Sequence, residues 1–306
     1  MSQRWIFSRT PVQANSFEFS VTPNDSCYLL LTLEPMPELP EVETTRLGLL
    51  PHLKGATIVD LVVREHRLRW PIPSNLPTLL RGAAIVDIAR RAKYLLVDCA
   101  HGHLIIHLGM SGSLRIVAAK TPPAKHDHYD LVLSNRHVVR YTDPRRFGSL
   151  HWTADAPATH ALLVGLGVEP LSEAFNGGAL FRATRGRSTS IKQFLMDQHH
   201  VVGVGNIYAN EALFRAGVRP QSPARRIGLA RCERIAAAIK HTLSLALKAG
   251  GSTLRDFVNS DGEPGSFQLS YRVYDRTGKP CLQCGSAIRT LRQGQRSTFY
   301  CPICQR

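Results

Sequence analysis

The chain runs to 306 residues and 33.9 kDa, with 43 % apolar and 20 % charged side chains, enough for two or three compact domains and too apolar for wholesale disorder. Lys and Arg number 38 against 23 Asp and Glu, a formal charge of +15 with a pI near 9.9. A polyanion is therefore the natural partner, nucleic acid ahead of an anionic membrane surface. No apolar run of about 18 residues exists to span a bilayer, and seven cysteines, four of them crowded near the end of the chain, disfavour a secreted disulfide framework.

Residues 1–35 carry two arginines against three acids, so the positive surplus lies beyond them. Their longest apolar stretch, Cys27 to Leu33, is interrupted by Thr32 and is too short for the core of a signal peptide. From Met36 the pattern changes. Glu41 and Glu43 suit the first turn of a helix, and Val42, Leu49, Leu50 and Leu53 share one face, which predicts a helix of about 12 residues after Pro40. Eight short β-branched or alternating runs follow, over 57–63, 84–88, 93–98, 103–108, 113–117, 128–133, 137–141 and 148–152, a spacing that predicts a β-sandwich. Thr153 to Pro170, rich in Gly and Pro, reads as a hinge. Helices are predicted over 188–198, over 206–216 closed by Gly217, and over 229–248 closed by Gly250 and Gly251. The tail from Arg276 to Arg306 holds six basic residues and no acid.

The strongest chemical motif is Cys281-x2-Cys284, sixteen residues, then Cys301-x2-Cys304. Two knuckles supply four thiolates for a tetrahedral site, zinc before iron, and four sulfurs leave no open position for water, so the metal would be structural. Arg289, Arg292 and Arg296 lie between the knuckles, placed to meet phosphates or to form a solvated basic face. VVGVGNIYAN, Val201 to Asn210, runs from a glycine turn into a helix at Asn206, whose free N–H groups favour an anion. Upstream, Arg182, Arg185, Arg187 and Lys192 form an acid-free stretch suited to tracking phosphates. Asp143 to Phe147, DPRRF, sets two guanidiniums beside a ring that either enters a DNA groove or tucks into the core. Met110, between Gly109 and Ser111, has the same two readings. Lys125-His126-Asp127-His128 offers two histidines at strand spacing but no third metal ligand.

Met36 to Thr44 reads MPELPEVET. If translation began at Met36 and that residue were removed, Pro37 would carry a secondary α-amine beside Glu38. An α-amine titrates at about 7.7 to 8.0 against about 10.4 for lysine, so much more of it is neutral and nucleophilic near pH 7.5. Attack on a sugar C1′ would give an iminium ion with no N–H proton to lose, a persistent electron sink. On residues alone, an ordinary Pro-punctuated helix start accounts for the same letters.

These motifs together with RRAKYLL (Arg90 to Leu96), HLGMSGSLR (His107 to Arg115), YTDPRRFG from Tyr141 and QRSTFYC from Gln295 closely resemble the bacterial formamidopyrimidine-DNA glycosylases, over Met36 to Arg306. The resemblance implies an α+β fold: an N-terminal β-sandwich with flanking helices, a helix-two-turns-helix domain and a C-terminal zinc-finger β-hairpin. It implies domains at 36–153 (catalytic sandwich), 154–169 (hinge), 170–258 (helix-two-turns-helix), 259–275 (a loop covering the lesion) and 276–306 (zinc finger), with 1–35 a non-native or unstructured extension.

The implied activity is excision of 8-oxoguanine and formamidopyrimidines from duplex DNA through a proline Schiff base, then β,δ-elimination. Pro37 would be the nucleophile, Glu38 the acid that opens the deoxyribose, Lys93 a DNA contact assisting β-elimination, and Arg296 the finger arginine of δ-elimination. Met110, Arg145 and Phe147 would fill the gap left by the extruded nucleotide, and His126, Arg187, Lys192 and Asn206 would contact DNA. Arg187 stands where the family often has lysine. One structural zinc on Cys281, Cys284, Cys301 and Cys304 would be the sole cofactor. The expected protein is a monomer acting in the bacterial cytoplasm at the nucleoid, with no membrane partner. The rival readings are an endonuclease VIII-like enzyme for oxidised pyrimidines and, with Pro37 locked in a peptide bond, a DNA-binding protein without activity.

Overall fold

A computed structural model describes residues 36–252 and 265–306; the expectation of an extension over 1–35 and the first part of the expected lesion-covering loop lie outside the described residues. Helix α1 (Leu39–Leu53) opens with Pro40 in its first turn, where a missing N–H costs nothing. Leu39, Val42, Leu49 and Leu53 on its inner face are fully buried.

The eight predicted runs are all strands: β1 (Ile58–Val63), β2 (Ile85–Arg91), β3 (Tyr94–Cys99), β4 (Gly102–His107), β5 (Ser113–Ala118), β6 (Asp127–Leu133), β7 (His137–Thr142) and β8 (Ser149–Thr153). They form two antiparallel four-stranded sheets, ordered β1-β6-β7-β5 and β2-β3-β4-β8. Alternation decides which side chains face inward: Leu95, Val97 and Cys99 of β3 are buried while their neighbours are partly exposed. Leu49 and Leu53 of α1 meet Leu61, Val97, Leu104, Ile106, Leu131 and Leu150 from both sheets in one apolar core. A short helix, α2 (Leu76–Leu80), which the sequence did not signal, covers β1 with Leu76 and Leu80.

One ionic cluster is built into the first sheet. Arg140 grips Asp130 with Nε and Nη2 at 2.9 and 2.8 Å, and donates onward to the carbonyls of Thr121 and Pro122. That bidentate geometry fixes the loop ahead of β6, and with it His126.

After turns around a 3-10 segment at Pro157–Thr159, Glu169 accepts from Arg90, Arg91 and the N–H of Ala92 at 2.9, 2.9 and 2.7 Å. The expected hinge thus ends in an anchor that pins the β2–β3 turn. The helical part contains α3 (Gly177–Thr184), α4 (Ile191–Met196), α5 (Asn206–Arg215) and α6 (Leu229–Lys248). Helix α3 was not predicted, since its first two residues are glycines, poor helix formers; Asn176 caps it by accepting from the N–H of Ala179 at 2.9 Å. Helix α4 is shorter than its predicted span because Ser190 caps it later. The last element is a hairpin of β9 (Arg289–Gln293) and β10 (Arg296–Tyr300) flanked by the two cysteine knuckles.

Candidate active site

The first turn of α1 delivers a buried carboxyl to a helix start. Glu38 Oε2 accepts from the N–H of Gly205 at 2.7 Å, and Oε1 accepts from that of Ile207 at 2.8 Å. These are orphan donors at the N-terminus of α5, where the helix dipole also favours an anion. The glycine turn predicted to hold an anion does so, but the anion is the protein's own carboxyl rather than a phosphate. Gly205 is required there, because a Cβ would lie 2.3 Å from the Glu38 carboxyl carbon.

Burial pushes the Glu38 pKa up to about 7, against the downward pull of nearby Lys93 and with the neighbouring Glu41 adding to the rise. Glu41 is itself buried and accepts from the N–H of Glu38 (2.9 Å), the hydroxyl of Tyr208 (2.5 Å) and the N–H of Ser252 (2.8 Å). A carboxyl near pH 7 is equipped both to give and to take a proton.

Pro37 is buried immediately before this carboxyl. A cavity of about 300 Å³ lies beside it, lined by Met36, Glu38, Lys93, Gln198, Asn206 and Arg296 among others. Lys93 arrives on the tight β2–β3 turn, where Ala92 takes the left-handed conformation (φ 55°), and burial lowers its pKa. Arg296 opens β10 and places Nη2 3.7 Å from the sulfur of Met36. Pro37, Glu38, Lys93, Asn206 and Arg296, scattered over 260 positions of sequence, are thus brought together.

A second cavity, of about 740 Å³, adjoins the first through Met36 and Arg296, and its wall includes Arg67, Arg69, His107, Met110, Arg145 and Phe147. Phe147 is 43 % exposed with the Arg145 guanidinium 5.1 Å from its ring centre, so the ring is not core filler. His107 was not singled out from the sequence although it stands in HLGMSGSLR. Its Nδ1 accepts from the N–H of Gly109 at 3.0 Å, and burial, aided by Lys93, holds its pKa down to about 4; the ring is neutral at pH 7.

Of the other expected DNA contacts, Arg187 is exposed and His126 partly so. Lys192 is a correction. It is 1 % exposed, and its Nζ donates to the Ser297 carbonyl and the Thr298 hydroxyl, both at 2.8 Å. Tertiary packing, which also buries Ile191, Phe194 and Leu195 of α4, turns it inward, so it secures the strand bearing Arg296 rather than facing a phosphate. The second histidine of the Lys125–His128 segment is also engaged within the protein, His128 Nε2 donating to the Asp143 carbonyl at 2.7 Å.

The sulfurs of Cys281, Cys284, Cys301 and Cys304 all lie within 4.8 Å of one another, with Cys281–Cys304 at 3.9 Å and Cys284–Cys301 at 3.5 Å. Tetrahedral zinc with bonds of about 2.3 Å places its sulfurs about 3.8 Å apart, so the set fits zinc. Cys99 and Cys232 are buried elsewhere, and burial raises the Cys99 thiol to about 11, which leaves it inert.

The site thus lies where a sandwich, a helical region and a cysteine-bearing hairpin meet. Three family models match: the formamidopyrimidine-DNA glycosylase N-terminal domain over residues 36–150, the formamidopyrimidine-DNA glycosylase H2TH domain over 166–258, and the zinc finger found in FPG and IleRS over 278–306. The chain is 57 % identical over 271 residues to the formamidopyrimidine-DNA glycosylase of Methylococcus capsulatus, covering 89 % of this chain and all of that protein, and 55 % identical over 271 residues to that of Pseudomonas aeruginosa, with the same coverage. Among solved structures it resembles the MutM (Fpg) protein of Thermus thermophilus, at TM-score 0.79 and 39 % identity over 88 % of this chain and 98 % of that one. It also resembles Lactococcus lactis Fpg in complex with DNA containing an abasic site, at TM-score 0.81 and 31 % identity over 88 % and 99 %. The chain belongs to the formamidopyrimidine-DNA glycosylase family.

Proposed function

We propose that the chain excises oxidised purines, 8-oxoguanine and formamidopyrimidines, from duplex DNA and then cleaves the strand as an AP lyase, with Pro37 as its nucleophile. The observation that carries this reading is a buried Glu38 carboxyl with a pKa near 7, adjacent to Pro37 on a cavity shared with Lys93 and Arg296.

The reacting atom is the Pro37 nitrogen, which in a chain beginning at Pro37 is a secondary amine. Its lone pair attacks C1′, the bond from C1′ to the base breaks, and the base leaves with that electron pair and a proton. Glu38 protonates O4′ as the sugar ring opens, and loss of the amine proton completes an iminium ion between nitrogen and C1′. Removing a C2′ proton sends electrons into the iminium and expels the 3′ phosphate; a second elimination expels the 5′ phosphate, and water returns the free amine. Lys93 and Arg296 hold the phosphates as they leave, Asn206 lines the same cavity, and Arg187 and His126 track the backbone outside it. Met110, Arg145 and Phe147 take the place of the extruded nucleotide, which the chemistry requires because C1′ is closed off inside the stack.

Cys281, Cys284, Cys301 and Cys304 would hold one zinc ion whose filled coordination shell supplies structure to the hairpin. No helix among the described residues is long and apolar enough to cross a membrane, and we place the enzyme, as a monomer, in the bacterial cytoplasm at the nucleoid. A Pro37 nitrogen joined to Met36 is an amide and cannot attack, so the active species begins at Pro37. In support, the first family model begins to match at residue 36.

Borohydride trapping tests this reading. The chain starting at Met36 and the full chain are each incubated with an 8-oxoguanine duplex, and any adduct is mapped by peptide mass spectrometry. An adduct at Pro37, formed only when residues 1–35 are absent, is expected; trapping by the full chain with 1–35 attached, or trapping through Lys93, would overturn it. A thymine glycol duplex belongs in the same experiment, because Lactococcus lactis Fpg has been solved with DNA containing an oxidised pyrimidine; faster turnover of that duplex would favour the pyrimidine reading.

A further inference from the structure

Three of the DNA-facing segments converge on one buried residue. Asp143 is 0 % exposed, and its carboxylate accepts four hydrogen bonds. Oδ1 takes the Ser111 hydroxyl at 2.6 Å and the Arg145 N–H at 3.2 Å; Oδ2 takes the Tyr141 hydroxyl and the Gly148 N–H, each at 2.9 Å. Ser111 follows Met110, while Arg145 and Gly148 bracket the DPRRF turn, so each oxygen serves the wedge-bearing turn and one further element. The backbone of Asp143 adds a third tie: its N–H donates to the His126 carbonyl at 3.0 Å, and its carbonyl accepts from His128 Nε2 at 2.7 Å. The two wedge loops also touch directly, since a Cβ on Gly109 would fall 2.4 Å from the Gly148 nitrogen and 2.5 Å from the Phe147 carbonyl carbon.

We propose that Asp143 is a positioning residue for lesion recognition, locking the Met110 loop and the Arg145–Phe147 turn into a single preformed wedge and fastening His126 to it. An ionised carboxylate offers about four lone-pair sites and no proton, which matches four donors pointing inward. With the loops locked, little conformational entropy is lost when the wedge enters the gap left by the flipped nucleotide. Undamaged duplex is held through phosphates by exposed cations outside the lock, so it gains nothing from the preformed wedge. The inference rests on reading the site as one that flips a nucleotide out of the duplex.

The test is binding by the full zinc-loaded chain, which needs no reaction at Pro37; failed borohydride trapping would defeat the catalytic reading and leave this one standing. Dissociation constants are measured for a duplex with a tetrahydrofuran abasic analogue and for its undamaged counterpart, with 2-aminopurine beside the abasic position reporting unstacking. Asp143→Asn turns one acceptor into a donor facing two donors, and should weaken binding to the abasic duplex about tenfold while leaving undamaged duplex within about twofold, with a reduced 2-aminopurine signal. Ser111→Ala, which releases only the Met110 side and keeps the fold if Asp143→Asn does not, should lower the same preference about threefold. Equal weakening of both duplexes by Ser111→Ala, or a wild-type preference and fluorescence in both variants, would overturn the proposal.

Discussion

Glu38 and Lys93 reach the cavity from a region with a deep apolar core, whereas Arg296 reaches it from a hairpin that has almost none. Helix α1 alone buries Leu39, Val42, Leu49 and Leu53, each contributing about 1.5 to 3 kcal/mol when fully removed from water. Across the described residues from Arg276 onward, the buried apolar side chains besides Cys281 and Cys301 are Ile288 and Phe299. What replaces a core there is the four-cysteine site and a set of polar ties to the helical region: Lys192 to Ser297 and Thr298, Asn210 Oδ1 to the Phe299 N–H at 2.9 Å, and Gln305 to the Val218 carbonyl at 2.9 Å. Glu38 is therefore fixed by burial, and Arg296 by the four-cysteine site and hydrogen bonds. Damage to the second set should displace Arg296 without unfolding the sandwich.

The largest effect expected lies on the buried side. Glu38→Gln keeps the shape but removes the proton donor and turns an amide N–H₂ toward the donors at Gly205 and Ile207; single-turnover base release by the active form should fall about 10³-fold, with binding to abasic duplex kept. The pH profile follows from the sign of the shift. With its carboxyl raised to about 7, Glu38 loses its donor form as pH climbs past 7, while the Pro37 amine gains its neutral form only toward about 7.7 to 8.0. A narrow bell between the two values is expected for base release, and a flat profile up to pH 9 would remove Glu38 from the acid's role.

Metal removal comes next and acts on the other side. Chelation, or Cys301→Ser, should strip hydrogen-exchange protection from β9 and β10 and reduce strand cleavage to a trace, because structural zinc contributes about 10 to 16 kcal/mol in domains of this kind. Protection in β1 to β8 should stay as it was. Loss of protection in both regions together would mean that the hairpin and sandwich fold as one unit, against the contrast drawn above.

Much of this contrast was legible in the sequence. The cysteine spacing announced the metal, and strand alternation placed all eight strands, since inward and outward faces differ so strongly in a sandwich. The destinations of buried polar groups were not legible. Lys192 reads as one more cation in an acid-free stretch, and only tertiary packing turns it toward β10. Glu211 gives no signal at all, yet it is 4 % exposed and accepts three N–H groups, from Arg272, Val273 and Tyr274, that shape the chain ahead of the zinc finger. Asp143 and His107 lay inside recognisable motifs, but which atoms they serve depends on loops that meet only in the fold. Local pattern encodes faces and caps; a carboxylate's partners at long range are set by topology.

Lys192→Met should cost less than metal loss, about tenfold in strand cleavage after base release, by freeing the Ser297 carbonyl and letting Arg296 drift. Base release itself should change less, since the hydrogen bonds of Lys192 go to Ser297 and Thr298 rather than to Glu38, which it reaches only through charge. The variant also carries a stability signature. Burial lowers the Lys192 pKa from 10.5 to about 7, so its charged form burdens the folded state fully below pH 7, and that burden lifts as pH rises from 7 toward 10.5. Stability of the wild type should therefore gain over that interval relative to Lys192→Met, and equal slopes would show that the ammonium is not desolvated.

Asn210→Ala is the smallest expected effect and the sharpest test of the polar ties. It removes the acceptor for the Phe299 N–H in the middle of β10 while leaving zinc, Lys192 and Arg296 intact. A buried N–H without a partner costs about 1 to 3 kcal/mol, and the cost should appear as faster exchange at Phe299 and its β9 neighbour Thr290, with cleavage within about threefold of wild type. If exchange in β10 stayed at the wild-type rate, the zinc site alone would be holding the hairpin, and the hydrogen bonds from α5 would follow its position rather than set it.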